Sequence, residues 1–155
     1  MFTFYKSTYN PIGLTGIVGG AITSTTLSGY LNELFAHVTS PPSGTVPTYQ
    51  YRKIYITNDF ETTSTYTRVW LEDQDHVGQI YLALDSSDSS TTTSPTGAPA
   101  GISGWDNPSN YVEGLELGTL AAGSHTGIWL KQELSNIIEE DPFATCSICV
   151  GGIIA

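Results

Sequence analysis

This sequence predicts an all-β fold, an antiparallel β-sandwich or small barrel, and three observations carry that prediction. Apolar residues recur at every second position in a series of short runs from Thr48 onward. Those runs are rich in β-branched and aromatic side chains. Clusters of Gly, Pro, Asn and Ser separate them, as turns between antiparallel strands require. A chain of 155 residues has the length of one domain and can bury a core without disulfide staples.

The N-terminal elements come first. Residues 1–26 read as an extended N-terminal arm. Met1 to Asn10 interleaves Phe2, Phe4, Tyr5 and Tyr9 with polar residues, and Pro11, Gly13, Gly16, Gly19 and Gly20 then interrupt any regular element. Such an arm either docks on a neighbouring subunit or packs back on its own domain as an edge strand. Residues 27–155 are assigned to the β-sandwich domain, with one short helix at 27–36. Leu27, Tyr30, Leu31, Leu34 and Phe35 share one helical face, and Pro41 and Pro42 bar any longer helix.

Strands come next. Tyr51 to Thr57 turns Ile54 and Ile56 inward, and Tyr66 to Leu71 turns Val69 and Leu71 inward. Gln79 to Leu84 does the same with Ile80, Leu82 and Leu84, and Thr126 to Lys131 with Ile128 and Leu130. Glu113 to Leu117 is a weaker candidate, and Cys146, Ile148 and Val150 close the series. The segment from Asp85 to Pro99 has no large apolar side chain. It reads as a surface excursion outside the core.

Charge narrows the function classes. The chain has 15 acidic and 5 basic residues, and only 13% of it is charged, against roughly 25% in ordinary soluble domains. A surface of Ser, Thr, Asn, Gly and Tyr suits polar contacts in a crowded assembly. Lys6, Arg52, Lys53, Arg68 and Lys131 form no run, so no nucleic-acid partner is expected, because phosphate binding rests on clustered cations. The first residues lack the apolar stretch and cleavage site of a leader peptide. No run approaches the ~18 apolar residues of a membrane span. A soluble chain made in a cytoplasm, without a membrane partner, is the expectation.

Chemistry-bearing motifs are sparse. Cys146 and Cys149 form a C-x-x-C, but strand flanks place residues three apart on opposite faces, so a redox pair or half zinc site gives way to two structural cysteines. His37, His76 and His125 have no motif around them. The run Glu72-Asp73-Gln74-Asp75-His76 offers oxygens for a cation but lacks an EF-hand spacing. Glu139, Glu140 and Asp141 form a second acidic knot, but adjacent carboxylates in a strand point to opposite faces, so Glu139 and Glu140 do not converge by themselves. Catalytic, metal and cofactor residues are therefore expected to be none. By alternation Trp70, Trp129, Tyr55 and Tyr81 lie on the face opposite the core. That face is covered by the helix and arm, or forms a protein interface, or serves as a carbohydrate platform.

Two stretches carry a resemblance. Tyr51-Arg52-Lys53-Ile54-Tyr55-Ile56-Thr57-Asn58 precedes Arg68-Val69-Trp70-Leu71, and Leu117-Gly118-Thr119-Leu120-Ala121-Ala122-Gly123 leads into Thr126 to Lys131. This order resembles immunoglobulin- and fibronectin-III-like domains, in which an Asn turn joins two strands and a glycine supplies the positive φ of a later bend. Gly19-Gly20-Ala21-Ile22 and Leu31-Asn32-Glu33-Leu34-Phe35 stand ahead of them. The arrangement over residues 19–132 resembles virion structural proteins of tailed phages. The resemblance implies a non-enzymatic virion component, first of all a capsid decoration or cement protein. A tail, neck or fibre component, or a carbohydrate- or receptor-binding module, is the alternative. The implied partners are the major capsid protein or other virion proteins and further copies of the chain, for instance in a trimer. The residues expected at such interfaces are Phe2, Phe4, Tyr5, Tyr9, Trp70, Trp129, Ile153 and Ile154.

Overall fold

Strands here are dictated by alternation, and each of the alternating runs becomes one. The computed structural model describes residues 1–11, 15–29, 33–35, 49–75, 80–85, 87–133 and 146–155. Nine strands lie among them: β1 (Phe2–Tyr9), β2 (Val18–Thr26), β3 (Tyr49–Asn58), β4 (Ser64–Glu72), β5 (Ile80–Asp85), β6 (Thr91–Thr92), β7 (Leu115–Leu120), β8 (His125–Glu133) and β9 (Ser147–Ile154). Six form one sheet in the order β5-β8-β3-β1-β2-β6, and three form a second in the order β7-β4-β9. Pairing is antiparallel throughout.

The β3–β8 ladder runs without interruption from Tyr49↔Glu133 to Thr57↔His125, and it sets which side chains share a face. Ile54 and Ile56 of β3, Ile128 and Leu130 of β8 and Leu82 of β5 point to one side. There they meet Val69 and Leu71 of β4, with Leu115, Leu117, Ile148 and Val150 packed around them. The seven fully buried aliphatics at the centre each contribute about 1.5–3 kcal/mol by leaving water. These are the residues that alternation assigns to the interior.

Two expectations are corrected. Within residues 1–26, read as an arm, Phe2–Tyr9 and Val18–Thr26 are strands of the chain's own sheet: β1 pairs with β3 from Phe2↔Asn58 to Lys6↔Ile54 and with β2 on its other side. The reason is in the same alternation. Phe2 and Phe4 fall on one side of the strand and pack against the main core, so ladder bonds and apolar burial reward the same register.

The short helix expected at 27–36 falls partly outside the described residues: 27–29 and 33–35 are irregular, and 30–32 and 36 are not among those described. Leu27, Leu34 and Phe35 pack on the core.

The low-complexity segment stays outside both hydrophobic clusters, as expected of a surface excursion. It lies over the outer face of the larger sheet. Thr91 and Thr92 pair with Gly19 and Val18 as its sixth strand. Ser90 accepts the Gly20 N–H at 2.9 Å and Pro95 accepts the Tyr51 N–H at 2.7 Å. A segment without large apolar groups is held because its small polar residues satisfy backbone donors that would otherwise be orphaned.

The single outward aromatic face is the second. Trp129 and Tyr55 are fully buried beneath that segment, and Trp70 belongs to the other sheet.

Candidate functional site

On the outer face of the larger sheet, β3, β8 and β5 place Lys53, Trp129 and Ala83 in one row and Tyr55, Gly127 and Asp85 in the next. Lys53 leans diagonally across β8 to reach Asp85, two strands away. Gly127 makes that crossing possible. A Cβ there would stand 3.0 Å from Lys53 Cε, 3.3 Å from Tyr55 Cε1 and 3.4 Å from Asp85 Cβ. The lysine ammonium and the Asp85 carboxylate are in contact, and both side chains are 0% exposed.

Donors surround the carboxylate. Asp85 Oδ1 accepts the Ser87 N–H at 3.1 Å and the Ser87 hydroxyl at 2.9 Å, and Oδ2 accepts the Ser90 hydroxyl at 2.5 Å. Trp129 Nε1 in turn donates to Ser90 Oγ at 2.8 Å. The Lys53 ammonium lies 4.9 Å from the Tyr55 ring centroid and 6.0 Å from that of Trp129. Burial by itself raises the Asp85 pKa, but the hydrogen bonds from Lys53, Ser90 and Ser87 outweigh it and hold the carboxyl at about 2. Burial pulls the Lys53 pKa down, against the charge of Asp85.

A second tier surrounds this pair. The Tyr55 hydroxyl donates toward the carbonyls of Gly20, at 2.6 Å, and Asp88. Burial, with Asp88 and Asp85 nearby, pushes its phenol above the ordinary range. Asp88 accepts the Gly127 N–H at 3.1 Å and faces His125 Nε2 at 3.6 Å. Sequence reasoning missed this constellation. Its one signal was Gly127 inside an otherwise apolar strand, which marks a close approach.

Further along the same face the Lys131 ammonium sits among three half-buried rings, 4.7 Å from Tyr81, 5.0 Å from Trp105 and 5.1 Å from Tyr49. Tyr81 thus keeps aromatic company, though with Tyr49 and Trp105 in place of Trp70.

Trp70 faces outward from the smaller sheet. It meets Tyr111 edge-on at 5.7 Å, and its indole donates to Glu72 at 2.5 Å. Tyr111 donates to the Tyr66 carbonyl at 2.8 Å, and Arg68 lies 5.7 Å from its ring. A Cβ on Gly151 would touch Trp70 at 3.2 Å and Tyr111 at 3.7 Å. Thr65, beside Tyr66, registers with Ile153. Tyr66, Val112, Ile153 and Ile154 are all exposed, Val112 to 79% and Ile153 to 55%. Trp70, Tyr111, Tyr66 and Ile153 thus lie on the outer side of the smaller sheet, with Val112 next to Tyr111 in the chain, while Ile154 alternates to the other side of β9.

The expected interface residues therefore divide. Trp70 and Ile153 lie on this outer face and Ile154 is exposed beside it in β9, while Phe2, Phe4 and Trp129 are packed inside the chain. Tyr9 is exposed and Tyr5 half-buried on β1, away from that face.

Cys146 packs on the core and Cys149 registers with Trp70. Both thiols are free, and burial pushes that of Cys146 up to about 11. Among the described residues no group of three or more His, Cys, Asp or Glu is placed to hold a metal ion. In the acidic run, Asp73 accepts the Ser147 hydroxyl and Gln74 accepts from Asn107. His37, His76, Glu139, Glu140 and Asp141 lie outside the described residues. Comparison with protein-family models, with curated proteins and with solved structures found no match.

Proposed function

We propose that this chain is a non-catalytic structural subunit that adheres to other proteins through the outer face of its smaller sheet. The patch of Trp70, Tyr111, Tyr66, Val112 and Ile153 carries the reading. Trp and Tyr supply large contact area at little conformational cost and concentrate at binding hot spots, and a contiguous exposed apolar patch marks an interaction surface. The strand β9 adds an edge: it pairs with β4 on one side and has no second strand partner among the described residues. Together with the low-charge surface and the phage-like order of motifs, this supports a virion component of the capsid decoration type. Its partner is then the head shell, and repetition over the shell multiplies a modest contact.

The test is co-sedimentation of the purified chain with phage heads, alongside the heads' melting temperature. The wild type binds and raises that temperature. A Val112→Lys/Ile153→Lys variant changes only exposed positions and loses affinity roughly tenfold or more. Equal binding by the variant, with its circular dichroism unchanged, overturns the role of this face. A wild type that binds no heads overturns the virion assignment.

The second reading, a carbohydrate- or receptor-binding module, is favoured by the rings of Tyr49, Tyr81 and Trp105 around Lys131. It predicts that oligosaccharides change the tryptophan fluorescence and that Trp105→Ala abolishes the change.

A further inference from the structure

The geometry points to a covalent cross-link: we propose that Lys53 Nζ and Asp85 Cγ condense to an intramolecular isopeptide bond that ties β3 to β5 across β8. Four observations converge on this pair. The amine and the carboxyl are in contact, and neither side chain has any exposure to water. Gly127 leaves the passage by which the lysine reaches its partner, since a Cβ there would crowd Lys53 and Tyr55 and touch Asp85. Tyr55 and Trp129 wall the ammonium on its flanks. The two oxygens of Asp85 stand in different surroundings, as an acyl transfer needs: Oδ1 faces the Ser87 N–H and hydroxyl, and Oδ2 faces Lys53 and the Ser90 hydroxyl.

The step balances within the pair. The ammonium passes one proton to Oδ2, leaving a neutral amine beside a neutral acid, the reactive form of the pair. The nitrogen lone pair then adds to Cγ. Negative charge collects on Oδ1, where the Ser87 donors already point, in the manner of an oxyanion hole. Oδ2 takes a second proton from the nitrogen, for which the Ser90 hydroxyl at 2.5 Å is a relay, and leaves as water. One C–O bond breaks, one C–N bond forms, and no oxidant or cofactor takes part. Holding both groups in contact supplies an effective concentration on the order of 10⁵ M or more, and exclusion of water opposes the reverse hydrolysis. The product removes two buried charges and keeps the Oδ1 hydrogen bonds as those of an amide carbonyl.

This inference stands apart from the proposed adhesive role, since it concerns the interior of the larger sheet. The experiment is intact-mass spectrometry of the purified, folded chain under denaturing conditions. The expected mass is lower than that of the sequence by one water. A digest is expected to yield a branched peptide joining the Lys53 and Asp85 segments, with no tryptic cleavage after Lys53. Lys53→Arg and Asp85→Ala variants are expected to keep their full sequence masses. A wild-type chain at full mass, or a lost water located anywhere else, overturns the proposal. The wild-type measurement decides this even where a variant fails to fold.

Discussion

Single atoms decide how closely the polar segment lies on the larger sheet. Gly19 on β2 has a φ of +99°, and a Cβ there would stand 2.4 Å from the Ser90 carbonyl oxygen and 2.9 Å from Trp129 Cη2. Neither neighbour can yield, since one is backbone and the other is a fully buried indole. Gly19→Ala is therefore expected to cost about 2–3 kcal/mol, read as a lower urea midpoint with an unchanged slope. The same residue scale explains a buried cation that alternation alone does not anticipate. Arg52 lies on the core side of β3, fully buried, and burial pulls its guanidinium down to about 10. It is kept there by donating to the Leu34 carbonyl at 2.6 Å and the Tyr51 carbonyl at 2.7 Å, and by stacking 5.5 Å from the Phe35 ring.

At the scale of elements, Asn58 shows how one turn ties strands of two sheets. It ends β3, is fully buried, and its amide donates to the carbonyls of Thr62, Leu120 and Ala121 at 3.0, 2.8 and 3.3 Å. Its side-chain oxygen accepts the Phe60 N–H at 3.1 Å. Across the same junction Gly123, with φ +71°, donates to the Asn58 carbonyl at 2.8 Å. Asn58→Ala leaves several of these buried groups unpaired and is expected to cost about 1–3 kcal/mol, with faster amide exchange at Phe60 as the local signature. Both halves of this junction were readable beforehand, because a turn asparagine and a turn glycine act through their own backbone. The inward residues of β3, β4, β5, β8 and β9 were readable for a similar reason, since period-two burial is local. The sheet positions of β1 and β2 were not, because pairing partners are set by contacts distant in sequence. The course of residues 87–110 was hidden too, because its anchorage rests on serine hydroxyls and carbonyls, which carry no hydropathy signal. For that reason a cover over Trp129 was expected from the helix and arm, where it comes instead from this segment.

The whole molecule is dominated by pairings between distant segments. β1 reaches β3, β3 reaches β8, and β4 reaches β9, so nearly every ladder closes a long loop. Loop closure is met before the ladder rewards it, which slows folding. Refolding from urea, followed by the burial of Trp129, is expected to take roughly milliseconds to seconds; a microsecond phase carrying the full amplitude would contradict the topology. No helix among the described residues is long and apolar enough to cross a membrane, and the circular dichroism spectrum is expected to be that of a β protein.

The order in which the strands are made has its own consequence. β4 leaves the ribosome long before β9, the strand that covers one of its edges. Until residues 147–154 emerge, the nascent chain holds a hydrophobic filling with one wall missing. Translation that stalls just short of Ser147 would thus release a species whose open flank recruits chaperones or its own kind.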